Sequence, residues 1–240
     1  MSTTTRAKLC LHPVSQPSRA VAWFVEKHKL PVDIEVINFP DLSKPEFVAR
    51  NYWGAVPWLE VNGTTLSESN AILTYLAAAN GIDAEYPTDP LQRAKVHEML
   101  LKHDSLGRQV AGQLVRPFVG VFFGRFTVDQ AKEAVQKNGP EAAEALTILN
   151  DLLGRHAFIV GNSMTVADYT LICELNQLHA LWAAPGLLPA VCGSEHFPNV
   201  VRYLNENRAA DPLERKHVAT FEGFISKILA PPAAPTPAAA

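Results

Sequence analysis

A chain of 240 residues, 48% hydrophobic and 19% charged, is long enough to bury one large core or two smaller ones. Its net charge of −3, with Lys and Arg spread along the whole length, leaves no basic patch and argues against a nucleic-acid partner. The three cysteines (Cys10, Cys173, Cys192) form neither a C-x-x-C nor a disulfide framework, and the eight histidines supply no H-x-x-x-H pair, so a reducing compartment and no metal are expected.

The opening "MSTTTRAK" is polar and has no apolar signal core behind it. Ala7–His12 then forms a short apolar run suited to a buried strand, and Arg19–His28 carries Val21, Phe24, Val25 and His28 at helical spacing. Ser15 stands between them. Serine before such a run is most often an N-cap, whose hydroxyl accepts from an orphan backbone N–H; the other reading is chemistry. Val32, Ile34 and Val36 alternate along a second strand, so the first elements make a βαβ unit with parallel strands. A loop or helix follows, and "WLEVNGTTL" then gives a hairpin turning at Asn62-Gly63. Ile72, Tyr75, Leu76 and Ala79 form one face of the next helix. The first 80 residues therefore read as a mixed four-stranded sheet with helices.

Pro57, just before a strand, is read as a plain trans turn proline or as a cis residue that turns the Val56 backbone toward an extended ligand. Ser69 is read as an N-cap or as a carboxylate site at a helix start, with Glu68 beside it suited to an ammonium group. "NGIDAEYPTDP" is turn-rich and reads as a linker.

Beyond it the strand signals stop. "PLQRAKVHEMLLKHDSLGRQVAGQLV" reads as one long amphipathic helix, with Pro90 near its start. "AEALTILNDLLGRH" and "ADYTLICELNQLHAL" are two more, and "HFPNVVRYLNENRA" and "VATFEGFISKIL" are weaker ones. Thr165-x-x-Asp168 has the form of a capping box, with Met164 and Tyr169 at the staple positions, and is read as helix initiation. "LHALWAAPGLLPAVCG" is too short and too proline-broken to span a bilayer, so a cytoplasmic protein without a membrane partner is expected.

Taken in order, "SQPSRAV", "AVPWLEVNGTTLSESNAILTYLA", "YPTDPLQRAKVHE" and "NSMTVADYTLICEL" resemble a cytosolic glutathione transferase, and within it the theta class. The match in order and spacing runs from Lys8 to about Arg208. The resemblance implies a thioredoxin-like glutathione-binding domain over 1–80, a linker over 81–90 and an all-helical domain over 91–230. A Pro/Ala tail over 231–240 is read as disordered. A homodimer is also implied, with glutathione as co-substrate rather than cofactor and a small hydrophobic electrophile as its partner in the reaction.

The resemblance further assigns residues. Ser15 becomes the catalytic serine, donating to the glutathione thiolate as well as capping its helix, with Gln16 following it as in that class. Val56 pairs its backbone with the tripeptide beside a cis Pro57, and Glu68 and Ser69 hold the γ-glutamyl end. Ser105 and Arg108 fall near positions that assist the glutathione site. Two features depart from the family pattern: "DLSKPEF" lacks a histidine for the glycyl carboxylate, leaving Ser43 or Lys44, and Ala55 stands where a basic residue is common. "RPFVGVFFGRF" offers Phe118, Phe122 and Phe123 with Arg116 and Arg125 for the electrophile, although a packed helix end has the same pattern. Two other functions are weighed. A glutathione-dependent reductase or isomerase, as a reductase, would want Cys at position 15. A non-catalytic interaction or apolar-carrier protein would have no need of an intact glutathione site.

Overall fold

The computed structural model describes residues 6–229; the tail over 231–240 lies outside them. Strands β1 (Ala7–Leu11), β2 (Val32–Val36), β3 (Trp58–Val61) and β4 (Thr64–Ser67) form one sheet in the order β2-β1-β3-β4. β1 and β2 are parallel, joined by α1 (Gln16–Lys27), while β3 and β4 are antiparallel. This is the expected thioredoxin-like mixed sheet. The hairpin turns at Asn62 (φ 50°) and Gly63 (φ 74°), the positive-φ pair that such a turn requires.

Helices cover the sheet because each strand has a face to bury. α1 contributes Ala20, Val21, Phe24 and Val25, and α3 (Ser69–Ala79) contributes Ile72, Leu73, Leu76 and Ala77, to one apolar cluster with Leu9, Leu11 and Leu59. The other sheet face buries Cys10 and Trp58, with Ile37, Leu42, Phe47 and Val56 packed around them. There a 3₁₀ turn (Phe39–Ser43) and the short helix α2 (Pro45–Arg50) fill the segment left open as loop or helix. β2 is an edge strand, and its alternation does not bury it: Ile34 and Val36 are exposed.

No helix or strand falls between Ala79 and Pro90, after which every element is helical. The single long helix expected from Pro90 to Val115 is not continuous. α4 (Pro90–Ser105) ends where Leu106 leaves helical geometry (φ −120°, ψ −78°). A one-turn α5 (Gly107–Val110), a π-helical turn (Ala111–Val115) and α6 (Arg116–Phe122) follow. The chain packs closely at this break: a Cβ on Gly107 would lie 3.0 Å from Leu171 Cδ1 and 3.3 Å from the His103 ring. Glycine eases that approach, since any side chain there would require Leu171 and His103 to give way by a few tenths of an ångström.

α7 runs from Val128 to Arg155, fifteen residues before the apolar pattern begins at Ala143, and it passes through Pro140. Its start is a true capping box, in which Gln130 N–H donates to Thr127 Oγ1 and Thr127 N–H donates back to Gln130 Oε1. Gly139 lies under Pro189, whose Cγ would be 2.4 Å from an added Cβ, so tertiary contact carries the helix across its weakest point.

α8 (Val166–Trp182) is the central helix, buried nearly all round. The expected initiation holds. Asp168 accepts from Thr165 N–H (2.8 Å), Thr165 Oγ1 (3.0 Å), Ile159 N–H (3.0 Å) and Tyr203 O–H (2.7 Å). α9 (Pro198–Ala210) and α10 (Pro212–Leu229) complete the chain, α10 starting six residues before the expected Val218. α1 packs on α8, with the Trp23 indole donating to Asp211 at 2.7 Å.

Candidate active site

Strand register collects the predicted residues. β1 and β3 are antiparallel with Cys10 opposite Trp58, and β3 faces β4 with Trp58 opposite Ser67. One residue further along each strand stand Leu11, Pro57 and Glu68. The segments 12–16, 56–57 and 68–69 therefore all emerge at the same end of the sheet. The Val56–Pro57 bond is cis, which excludes the plain trans reading of that proline.

The loop after β1 is folded by its own groups. His12 stacks on Phe39 with ring centroids 3.9 Å apart, and its Nδ1 accepts from Val14 N–H at 3.2 Å. The Ser15 N–H donates to the His12 carbonyl (3.0 Å), and the Ser15 carbonyl starts the helix by accepting from Arg19 N–H (2.9 Å). Ser15 thus holds the N-cap position of α1, but its side chain makes no capping bond. That corrects the cap reading of the hydroxyl. Pro17, at the second helical position, has no N–H to offer. Ser15 is 8% exposed, and its Oγ has no hydrogen-bond partner among the described residues.

Ser15 lines a cleft of about 290 Å³ between the sheet end and the α5–α6 region, together with Gln16, Val56, Arg108 and Gln177. Phe39, Leu42, Arg116, Val119 and Phe123 are shared with a wider bay of about 910 Å³. Arg116, Phe123 and Arg125 line the bay, while Phe118 is core and Phe122 is on neither lining. Phe118 is thus packed core, whereas Phe123, at the C-terminal end of α6, lines open space. A Cβ on Gly120 would run into the Phe126 ring, another residue lining the bay, so glycine lets the two pack closely there.

The remaining predicted residues separate. Glu68, not Ser69, is the N-cap of α3, its carbonyl accepting from Ile72 N–H at 3.0 Å; Ser69 is the first helical residue, buried at 5% exposure. Glu68 holds φ 71° and ψ 118°, a backbone conformation that a residue with a side chain rarely adopts. Both sit at the sheet end without lining the cleft below Ser15. Ser105 faces away, donating to the Lys102 carbonyl (3.2 Å) and lining a groove with Ile148 and Leu152; the break at Leu106 turns it from the side that carries Arg108. Lys44 is paired with Asp41 at 2.7 Å, and Ser43 lines the wide bay.

Two buried charges under the cleft were not anticipated. Arg19 donates to the Val14 carbonyl (2.7 Å) and to the Cys173 carbonyl (3.2 Å), tying the Ser15 loop to α8. Glu174 accepts from Gln16 Nε2 at 3.2 Å, and burial raises its carboxyl pKa. The signal was present, since both are charges inside otherwise apolar helical stretches. Burial pushes the Cys10 and Cys173 thiols up to about 12 and Cys192 to about 11, so none is a thiolate near neutral pH. Among the described residues no group of three or more His, Cys, Asp or Glu could hold a metal, and no helix is long and apolar enough to cross a membrane.

Residues 11–78 match the family model for the glutathione S-transferase N-terminal domain, and residues 99–210 match that for its C-terminal domain. Human glutathione S-transferase theta-2 is 36% identical over 183 residues, 72% of each chain. Glutathione S-transferase T1 of Arabidopsis thaliana is 33% identical over 191 residues, 73% of this chain and 74% of the relative. A solved human theta-class glutathione transferase, in complex with the glutathione conjugate of 1-menaphthyl sulfate, superposes with a TM-score of 0.77 at 28% identity, covering 93% of this chain and 90% of that one. The chain belongs to the glutathione S-transferase family and has theta-class relatives.

Proposed function

We propose that this transferase joins the glutathione sulfur to small apolar electrophiles, alkyl halides and epoxides among them, with the thiolate held by the Ser15 hydroxyl. The observation that carries the reading is Ser15 itself: a buried residue lining the cleft at the N-terminal end of a 12-residue helix, its Oγ without a hydrogen-bond partner among the described residues. A cysteine-type thiol of pKa about 8.5 is only about 3% ionised at pH 7. Lowering that pKa by two units takes about 2.7 kcal/mol. A charge-assisted hydrogen bond supplies roughly 1.5–3 kcal/mol, and the helix end adds about 0.3–1.

In the step itself, the thiol proton leaves to solvent and Ser15 donates to the sulfur left behind. The sulfur lone pair attacks carbon; a halide then leaves with the bonding electrons, whereas an epoxide C–O bond opens to an alkoxide that stays on the product and takes a proton from solvent. Complete ionisation raises the thiolate concentration only about 30-fold, so further acceleration comes from holding the electrophile against sulfur. The aromatic and cationic bay around Phe123, Arg116 and Arg125 supports that role.

For the tripeptide, the Val56 backbone beside Pro57 pairs with its extended middle. Glu68 takes its ammonium group, and Ser69 with the free N–H groups of α3 takes its α-carboxylate. Arg108 and Gln16 serve the same site. The protein works in the cytoplasm as a homodimer, to be checked by light scattering. The reading is tested by retention on immobilised glutathione and calorimetric titration, followed by turnover with alkyl halides, epoxides and peroxides. Glutathione binding with halide or epoxide turnover is expected. A folded protein that does not bind glutathione overturns it.

A further inference from the structure

Glu174 is a carboxylate in the most enclosed helix of the molecule, 2% exposed, and its partners come from four places in the chain. Gln16 Nε2 of α1 donates to its Oε2 at 3.2 Å, and Gln177 Nε2 of α8 lies 3.4 Å from the same oxygen. On the other oxygen, His103 Nε2 of α4 stands at 3.6 Å and Arg108 Nε of α5 at 3.9 Å. Gln16, Gln177 and Arg108 all line the cleft below Ser15.

The arrangement is poor as a stabilising ion pair. The nearer ring, His103, is uncharged at neutral pH, its pKa lowered to about 4 chiefly by burial and next by Arg108. The guanidinium sits beyond hydrogen-bond distance, and Arg108 Nε, like both His103 nitrogens, has no hydrogen-bond partner. A buried carboxylate held this loosely adds little stability over a neutral residue of the same volume. With its Nε edge turned to Glu174 and to Asp104 (3.4 Å), Arg108 has no hydrogen bond from its two Nη groups to any described residue. Gln16, tied down through its amide nitrogen, keeps its carbonyl oxygen available. Gly107, next to Arg108, packs directly over Glu174: a Cβ there would lie 3.8 Å from Glu174 Cβ, at ordinary contact distance.

We propose that Glu174 is a positioning residue that orients Gln16 from the sheet side and Arg108 from the helical side toward bound glutathione, making one ligand-binding unit of two domains. The proposal rests on the reading of this cleft as the glutathione site. Glu174→Gln keeps the volume and the bond to Gln16 but removes the charge that faces Arg108. Its glutathione Kd and KM are expected to rise about 3- to 10-fold, with kcat at saturation within about twofold of wild type. In an Arg108→Ala background the same substitution is expected to change neither. A merely structural role would lower the melting temperature and leave the two substitutions additive. Wild-type Kd and KM in Glu174→Gln, or additivity with Arg108→Ala, overturns the proposal.

If Glu174→Gln does not fold, the cycle of Gln16→Ala with Arg108→Ala tests the same point with Glu174 in place. No hydrogen bond joins these two residues, so coupling above about threefold in glutathione Kd supports a shared partner, and additivity overturns it. Wild-type protein that binds no glutathione at all would instead remove the functional reading beneath the proposal.

Discussion

The sheet end that carries Ser15, Val56, Pro57 and Glu68 is set by strand register, whereas the wall that carries Arg108, Arg116 and Phe123 is set by how an irregular helix packs on α8. In the first region each site residue lies one to four positions beyond a ladder pair, so its place follows from local pairing. In the second, the helix breaks at 106–107 beside a close glycine contact, a π-turn follows, and Ser105 and Arg108 line different cavities. A glutathione site common to a family can rest on the first kind of construction. An electrophile pocket can vary on the second, because a change in one packing contact there re-aims several side chains.

The comparison is broken most severely at the anchor of the helical side. Asp168 accepts four hydrogen bonds at 0% exposure, and Asp168→Ala leaves two backbone N–H groups and the Tyr203 hydroxyl buried without that acceptor. A loss of about 3–5 kcal/mol is expected in urea unfolding. A loss below about 1 kcal/mol would mean that the start of α8 does not depend on this hub.

Next comes the sheet end. Ser15→Ala and Ser15→Gly are expected to lose the same activity, on the order of 10- to 100-fold in kcat/KM. The pKa of bound thiol should rise toward about 8.5 in both. Because the Ser15 hydroxyl makes no capping bond, Ala should be as stable as wild type within about 0.5 kcal/mol. An Ala variant that is active but markedly less stable would restore the cap reading and remove the catalytic one.

Much of the first region was legible. The Asn62-Gly63 turn, the alternation of β2 and the apolar run of β1 fix the sheet, and the sheet fixes where Ser15 and Pro57 emerge. Two local readings failed there because a side chain's hydrogen bond cannot be inferred from its residue type: Ser15 takes the cap position without capping, and Ser69 yields the cap to Glu68. The helical region was legible in composition but not in phase. Gly139 and Pro140 look like a stop, yet α7 runs through them because Pro189 and Cys192 pack there. Glu174 was visible as a charge in an apolar run, but nothing local shows that Gln16, 158 residues away, is its partner.

A smaller effect is expected at the wall. Phe123 meets Phe39 edge-on at 5.9 Å and lies under Arg125, whose guanidinium is 5.8 Å from the ring. Phe123→Ala removes an aromatic surface contributing about 0.5–1.5 kcal/mol, so KM for an aromatic electrophile should rise about 3- to 10-fold. The Kd for glutathione should stay within twofold. If glutathione binding weakens equally, the two walls are not separable in function.

The smallest effect concerns acid, where the two regions carry opposite signs. On the outer sheet face Arg50 of α2 pairs with Glu35 of β2 at 2.6 Å and with Glu60 of β3 at 2.8 Å. The Arg50 hydrogen bonds hold the Glu35 carboxyl down at about 2, against an ordinary value of 4.5. A depressed carboxyl contributes stability that is complete above about pH 4.5 and is lost as pH falls toward 2. Solvent reaches about a third of both side chains, so screening holds this contribution to about 1 kcal/mol. In the helical region burial raises the Asp168 and Glu174 carboxyls instead, and groups of that kind favour the folded state as protons are added. Acid should therefore loosen β2 and α2 before α8. Hydrogen exchange at pH 3 and pH 7, corrected for intrinsic rates, should show protection lost over residues 32–50 and kept over 166–182. Glu35→Gln should be less stable than wild type at pH 7 and flatter between pH 4.5 and 2. If its stability runs parallel to wild type over that range, the pair contributes nothing, and the acid response belongs to other groups.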